Sequence, residues 1–261
     1  MILDRLAASA RKRVEEKKRR RPLTELQREA EAMEKNTGFP FRQALEAEGI
    51  SFICEVKKAS PSKGIIAEQF PYLEIAEDYQ AAGAAAISVL TEPEYFLGQD
   101  RYLKEIARQA AVPVLRKDFT VDPYQIYEAK VLGASAVLLI CSILSLEQLK
   151  EYLKLSRGLG LSALVEAHDG REIDLALEAG AGIIGVNNRN LQDFQVDVSN
   201  SLRLRELIPP GVLYVSESGV RTRRDVEILE QNGTDGVLIG ETLMRSPDRQ
   251  RTLRELKGGA G

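Results

Sequence analysis

Two ammonium and two carboxylate side chains stand where apolar runs of this chain stop. Glu55 and Lys57 close the run Ser51-Phe52-Ile53-Cys54, Lys117 closes Val112-Pro113-Val114-Leu115, and Glu166 closes Leu164-Val165. Asn187 ends Ile183-Ile184-Gly185-Val186 in the same manner. Side chains alternate faces along a strand, so Glu55 and Lys57 share a face with Ile53, and Cys54 and Val56 share the other. Charges on an inner face bear a desolvation cost, and apolar residues there are more stable. For one such residue, an internal salt bridge is a sufficient reading. For a whole set recurring where buried strands end, an active site is the better one. Its chemistry is acid–base. A lysine with a lowered pKa, for example, can supply a proton to a developing alkoxide at neutral pH. Burial and Lys57 push the pKa of Lys117 down while Glu55 and Glu166 push it up, and the sequence leaves that balance open.

The elements that must position these groups repeat. Gly83 to Leu90, Gly133 to Ile140, Gly180 to Asn187 and Gly233 to Gly240 each read as a helix ending in glycine, a tight turn and a fully apolar strand. Strands apolar on both faces belong to parallel sheets. One further strand lies between each pair, at Val112 to Lys117, Leu161 to Glu166 and Val212 to Ser216, and Phe52 to Lys57 precedes them all. Helix signals fill the gaps. Asp122-Pro123 is an N-cap followed by proline, Ser145 and Gln148 have capping-box spacing, and Asp169 with Glu172 resembles it. Eight such units of about 20–35 residues match an α/β fold of the (β/α)₈ TIM-barrel type, in preference to a doubly wound open sheet. Residues 1–48 read as a helical extension packing across one barrel end, 49–257 as the single catalytic barrel, and 258–261 as a disordered tail.

In such barrels the site lies at the carboxyl ends of the strands. Glu55, Lys57, Lys117, Glu166, Asn187, Arg189, Glu217 and Ser218 all fall at that rim. Ser216-Glu217-Ser218-Gly219-Val220 and Leu238-Ile239-Gly240-Glu241 follow the last two strands, where barrels commonly bind phosphate. Gly219 and Gly240 would let an anion approach the backbone, and Ser60 could add a hydroxyl. Phe96 and Phe119 either cover nearby core or clasp an aromatic ring. The loop from Lys58 to Pro71 is a candidate lid or a fixed loop.

Composition narrows the rest. The 261 residues carry 36 Lys+Arg against 39 Asp+Glu, which argues against nucleic acid as a partner. The run Lys17-Lys18-Arg19-Arg20-Arg21 reads as a solvated helix end balanced by Glu15, Glu16, Glu25 and Glu29. No apolar stretch reaches the ~18 residues of a membrane helix and the N-terminus lacks the apolar core of a signal peptide, so a cytoplasmic location is expected. Cys54 and Cys141 fall in strands and read as buried thiols. A single histidine, His168, leaves no room for a His-based metal site or a Ser-His-Asp triad, and no metal is expected.

The segment Cys54-Glu55-Val56-Lys57-Lys58-Ala59-Ser60-Pro61-Ser62-Lys63-Gly64 resembles the first-strand motif of the indole-3-glycerol-phosphate synthase family. The likeness continues through Tyr95-Phe96, Arg116-Lys117-Asp118-Phe119, Leu164-Val165-Glu166, Gly185 to Leu191, Ser216 to Gly219, and Leu238 to Met244. It implies conversion of 1-(2-carboxyphenylamino)-1-deoxyribulose 5-phosphate to indole-3-glycerol phosphate, carbon dioxide and water, without a cofactor, by a monomer or weak homodimer. By the same resemblance Lys117 is the general acid, Glu166 the acid/base of the later dehydration, and Glu55, Lys57, Asn187 and Ser218 the remaining catalytic set. Phe96, Phe119, Arg189, Glu217 and Leu238 would line the substrate pocket, and Ser60, Gly219, Gly240 and Glu241 the phosphate site, Glu241 at a place that varies within the family. The competing readings are another phosphate-binding barrel enzyme, such as a phosphosugar isomerase, and a barrel that only binds its ligand. The first has no reason to keep Lys57, Lys117 and two pocket phenylalanines. The second has no reason to keep four charged groups where apolar ones are more stable.

Overall fold

A computed structural model describes residues 2–190 and 194–259. Eight strands, β1 (Ser51–Val56), β2 (Ala86–Leu90), β3 (Val114–Lys117), β4 (Ala136–Ile140), β5 (Ser162–Ala167), β6 (Ile183–Asn187), β7 (Leu213–Glu217) and β8 (Gly236–Ile239), pair in sequence order, all parallel. β8 pairs back onto β1 and closes the barrel. Alternation sorts their side chains into two layers. Ile53, Leu115, Leu138, Leu164, Val215 and Leu238 pack together in the barrel interior, while Phe52, Cys54, Val56, Val89, Leu139 and Ile239 face the surrounding helices.

The register gathers the polar strand ends. Glu55 pairs with Ser88, Leu90 with Lys117, Ile140 with Glu166, Glu166 with Gly185, Asn187 with Glu217, and Glu217 with Leu238. The polar residues thus form one ring at the carboxyl rim. Gly83, Gly133, Gly180 and Gly233, which end the helices before β2, β4, β6 and β8, all take positive φ, as the repeat predicts.

Three helices precede the barrel: α1 (Ile2–Arg20), α2 (Leu23–Ala32) and α3 (Pro40–Leu45). The extension reaches both barrel ends rather than one. Ile2 and Leu6 of α1 line the cavity at the carboxyl rim. Phe41 and Leu45 of α3 are buried with the interior residues at the opposite end, where Ser51 Oγ donates to Ala44 O at 2.7 Å. Between them the chain runs down the barrel's flank, held by Lys130 Nζ on Glu34 O (2.6 Å) and Thr37 Oγ1 on Gly160 O (2.7 Å). The basic run at the end of α1 is largely consumed within the fold. Lys17 pairs with Asp100 and Glu128, Lys18 with Asp122, and Arg21 with Glu25 and Glu29.

The barrel helices are α4 (Tyr72–Ala81), α5 (Asp100–Gln109), α6 (Pro123–Val131), α7 (Leu146–Gly158), α8 (Gly170–Ala179), α9 (Ser199–Leu204), α10 (Arg223–Gln231), α11 (Glu241–Met244) and α12 (Arg249–Leu256). Asp122 caps α6 and Ser145 with Gln148 forms a complete capping box on α7. Asp169 accepts from Glu172 N, but the Glu172 carboxylate turns to His168 N instead of returning to Asp169. Of the tail expected to be disordered, Gly258 and Gly259 are ordered against α12 through hydrogen bonds to Glu255 O and Arg254 O. Ala260 and Gly261 lie outside the described residues, as does Leu191 of the β6 motif.

Candidate active site

Lys117 emerges from the end of β3 into the barrel mouth, where its Nζ lies 3.1 Å from Glu166 Oε2 of β5 and 3.1 Å from Glu217 Oε2 of β7. Across the mouth, Lys57 Nζ lies 2.5 Å from Glu55 Oε1. These five side chains line one cavity with Ser60, Phe96, Phe119, Asn187, Arg189, Ser218, Leu238 and Glu241. Phe96 and Phe119 form one wall, their ring centroids 6.2 Å apart. The four charged heads flagged by the strand ends therefore meet at a single opening.

Electrostatics separate the members. Burial alone would lower the pKa of Lys117, but the charges of Glu217, Glu166 and Glu55 more than reverse this, so it is held as an ammonium. The balance left open by the sequence thus resolves upward. Burial would raise Glu166, but Lys117 and His168 outweigh it and hold it below the usual carboxylate range. Glu217 goes the other way. Burial pushes it up, Lys117 only partly compensates, and Glu166 adds repulsion, leaving it at about 7. Its Oε1 is buried without a hydrogen-bond partner and sits where a Cβ on residue 185 would lie 2.1 Å away, so Gly185 is required there. Of the carboxyls in the cluster, Glu217 is the one whose pKa is brought up to neutrality.

A second lobe opens beside Glu55 and Lys57, lined by Ser218, Gly219, Arg221, Gly240, Glu241 and Arg245 among others. Its floor needs glycines. Ser218 and Gly219 take φ of 68° and 100° in succession, and a Cβ at 219 would meet Val196 and Val198 at 2.7 Å. A Cβ at 240 would lie 2.5 Å from Glu55 Oε1. Arg189 Nη2, Lys63 Nζ and Arg245 Nε surround the Glu241 carboxylate at 3.7, 3.6 and 3.2 Å and keep its pKa low despite partial burial. The loop after β1 folds as a short hairpin, Ala59–Ser60 against Gly64–Ile65, and Arg189 Nη1 reaches Ser62 Oγ at 3.4 Å.

Several residues of the site lay outside the sequence reading. Ile2 and Leu6 had no local signal, because an amphipathic helix does not name its partner. Asp118, which also lines the mouth, accepts from Arg13 of α1 at 2.9 Å and from Thr91 at 2.6 Å. His168, beside Glu166, did have a signal: it stands two residues on, one past the end of β5, where strand alternation would carry it to the side of Glu166.

Fold and rim together define a (β/α)₈-barrel enzyme of a phosphorylated small molecule. Solved structures support the architecture: 3-hexulose-6-phosphate synthase from Salmonella typhimurium (TM-score 0.66, 14% identity, 80% of this chain and 97% of that one) and a tryptophan synthase complex from Pyrococcus furiosus (TM-score 0.58, 15% identity, 80% and 98%). At those identities only the fold is shared. Residues 3–256 match the family model of indole-3-glycerol phosphate synthase. Proteins of that name from Ruminiclostridium cellulolyticum and Endomicrobium trichonymphae are 56% and 55% identical, over 100% and 98% of this chain and the full length of each. The chain belongs to the indole-3-glycerol phosphate synthase family.

Proposed function

We propose that the chain closes, decarboxylates and dehydrates 1-(2-carboxyphenylamino)-1-deoxyribulose 5-phosphate, with Lys117 as the acid of ring closure. The observation that carries this reading is the placement of Lys117 Nζ 3.1 Å from each of two carboxylates at the mouth of a cavity walled by two phenylalanines. The phosphate binds against Ser60, Gly219, Gly240 and the neighbouring cations, displacing or sharing them with Glu241. The aryl ring lies against Phe96, Phe119 and Leu238. Held in this way, the carboxylate-bearing ring carbon faces the ketone, an orientation effect that reaches about 7 kcal/mol or more in favourable cases.

The ring carbon attacks the ketone carbon, and Lys117 gives its proton to the developing alkoxide. A buried ammonium both stabilises that charge and neutralises it. The resulting cation is conjugated to the aniline nitrogen and faces Glu55 and Glu166. It draws in the electron pair of the C–C bond as carbon dioxide leaves, so the substrate supplies its own electron sink. Lys57 balances the substrate carboxylate until that step. The ring hydroxyl then leaves as water on protonation, and the adjacent CH₂ loses a proton, with Glu166 as acid/base and Asn187 and Ser218 holding the intermediate. One proton is consumed overall, matching the charge lost with the carboxylate, and Glu217 stands next to Lys117 as its reservoir.

The test is indole formation from the carboxyphenylamino substrate, followed by fluorescence. The chain contains no Trp to interfere. Stoichiometric indole-3-glycerol phosphate and carbon dioxide are expected. Substrate binding without either product would reduce the barrel to a binding protein.

A further inference from the structure

We infer that His168 is a positioning residue for Glu166: clamped by Glu172, its imidazolium fixes Glu166 Oε1 and leaves Oε2 to Lys117 and the cavity. This rests on the reading of Glu166 as the acid/base of dehydration. The clamp is built from several contacts. His168 Nδ1 lies 3.1 Å from Glu172 Oε2, which also accepts from His168 N at 2.8 Å. The other oxygen of Glu172 accepts from Ser142 Oγ, and Glu172 N donates to Asp169 Oδ1 at 2.9 Å. Glu172 is thus withdrawn from an ordinary capping box in order to hold the ring.

The opposite nitrogen, Nε2, is buried, makes no hydrogen bond, and faces Glu166 Oε1 at 3.5 Å. With Nδ1–H given to Glu172, a neutral ring would aim a lone pair at a carboxylate. The protonated ring instead presents an N–H on each side to a carboxylate. The charged groups around it favour that form. Glu172 on α8 and Glu166 on β5 are in contact, and Glu217 on β7 acts at longer range. Asp4 of α1, Arg189, Asp197 and Arg203 stand across the adjoining cavity. Burial opposes the charge, but the carboxylates outweigh it and raise the pKa of the ring. Glu166 then lies between two cations, Lys117 hydrogen-bonded to Oε2 and His168 facing Oε1.

The chain has one histidine, so its imidazole titration can be followed as a single signal by NMR, independently of turnover. The ring is expected to titrate above the ordinary 6.5, with Glu166→Gln and Glu172→Gln each lowering the midpoint. His168→Gln keeps an N–H near the place of Nε2 without its charge. It should lower kcat about tenfold with KM within about twofold, and remove the alkaline limb of the kcat–pH profile. Glu172→Gln should move that limb to lower pH. A histidine that only packs would lower the melting temperature and leave the limb in place. Unchanged kcat and limb in His168→Gln, or a midpoint indifferent to Glu166→Gln, overturns the inference. Full turnover in Glu166→Gln instead removes the acid/base reading, and the NMR midpoints still report whether the clamp exists.

Discussion

Glu217 and Lys117 show how single residues take their properties from distant ones. Glu217 is raised from an ordinary 4.5 to about 7, so the folded chain binds more protons than the unfolded one between those values. Its contribution to stability is complete below the lower value and is lost as pH rises through the higher one. Relative to the parent, Glu217→Gln should therefore be more stable at pH 8 than at pH 4, by about 1–3 kcal/mol in urea unfolding. If Glu217 serves Lys117 as proposed, the same change should also lower turnover. An equal gain at both pH values would mean that the buried carboxyl is not the source. The sequence marked Glu217 as a rim residue by its position at the end of a strand, and the family resemblance assigned it to the pocket. Its proton affinity was not legible, because the groups that set it come from β3 and β5, and Lys117 is 100 residues away. The same holds for the upward shift of Lys117, whose sign depends on which carboxylates the barrel brings within reach.

At the scale of elements, four of the eight strands were legible as short apolar runs after a helix-ending glycine, the other four as runs spaced between them, and parallel burial leaves few other readings. The rim followed from them, since strand direction decides which end each polar residue occupies. The path of the extension did not follow. Its apolar stripes could pack on either barrel end, and the turn into α3 relies on Gly38 and Phe39 at φ of 71° and 56°, which no local motif announced. Because Phe41 is fully buried beneath the barrel, Phe41→Ala should cost about 3–5 kcal/mol in chemical unfolding and leave kcat near that of the parent. A small cost would show that α3 does not close the barrel floor. In the loop after β7, Gly219→Ala forces a Cβ into Val196 and Val198. The expected result is a KM at least about tenfold higher with kcat little changed, the signature of a disturbed phosphate grip. An unaltered KM would move the phosphate elsewhere.

Across the whole molecule, the large hydrophobic side chains left exposed among the described residues, Met33, Ile65 and Leu207, belong to three separate segments. No apolar face of the size used by obligate dimers is formed by them. The closed barrel places one ammonium between two carboxyl groups, and the consequence for catalysis is tested most directly at Lys117. Steady-state indole formation and indole-3-glycerol phosphate affinity should be measured side by side for the parent and Lys117→Met. The predicted result is a loss of turnover of about 10²–10⁴-fold with product affinity retained; turnover close to that of the parent would contradict the assignment.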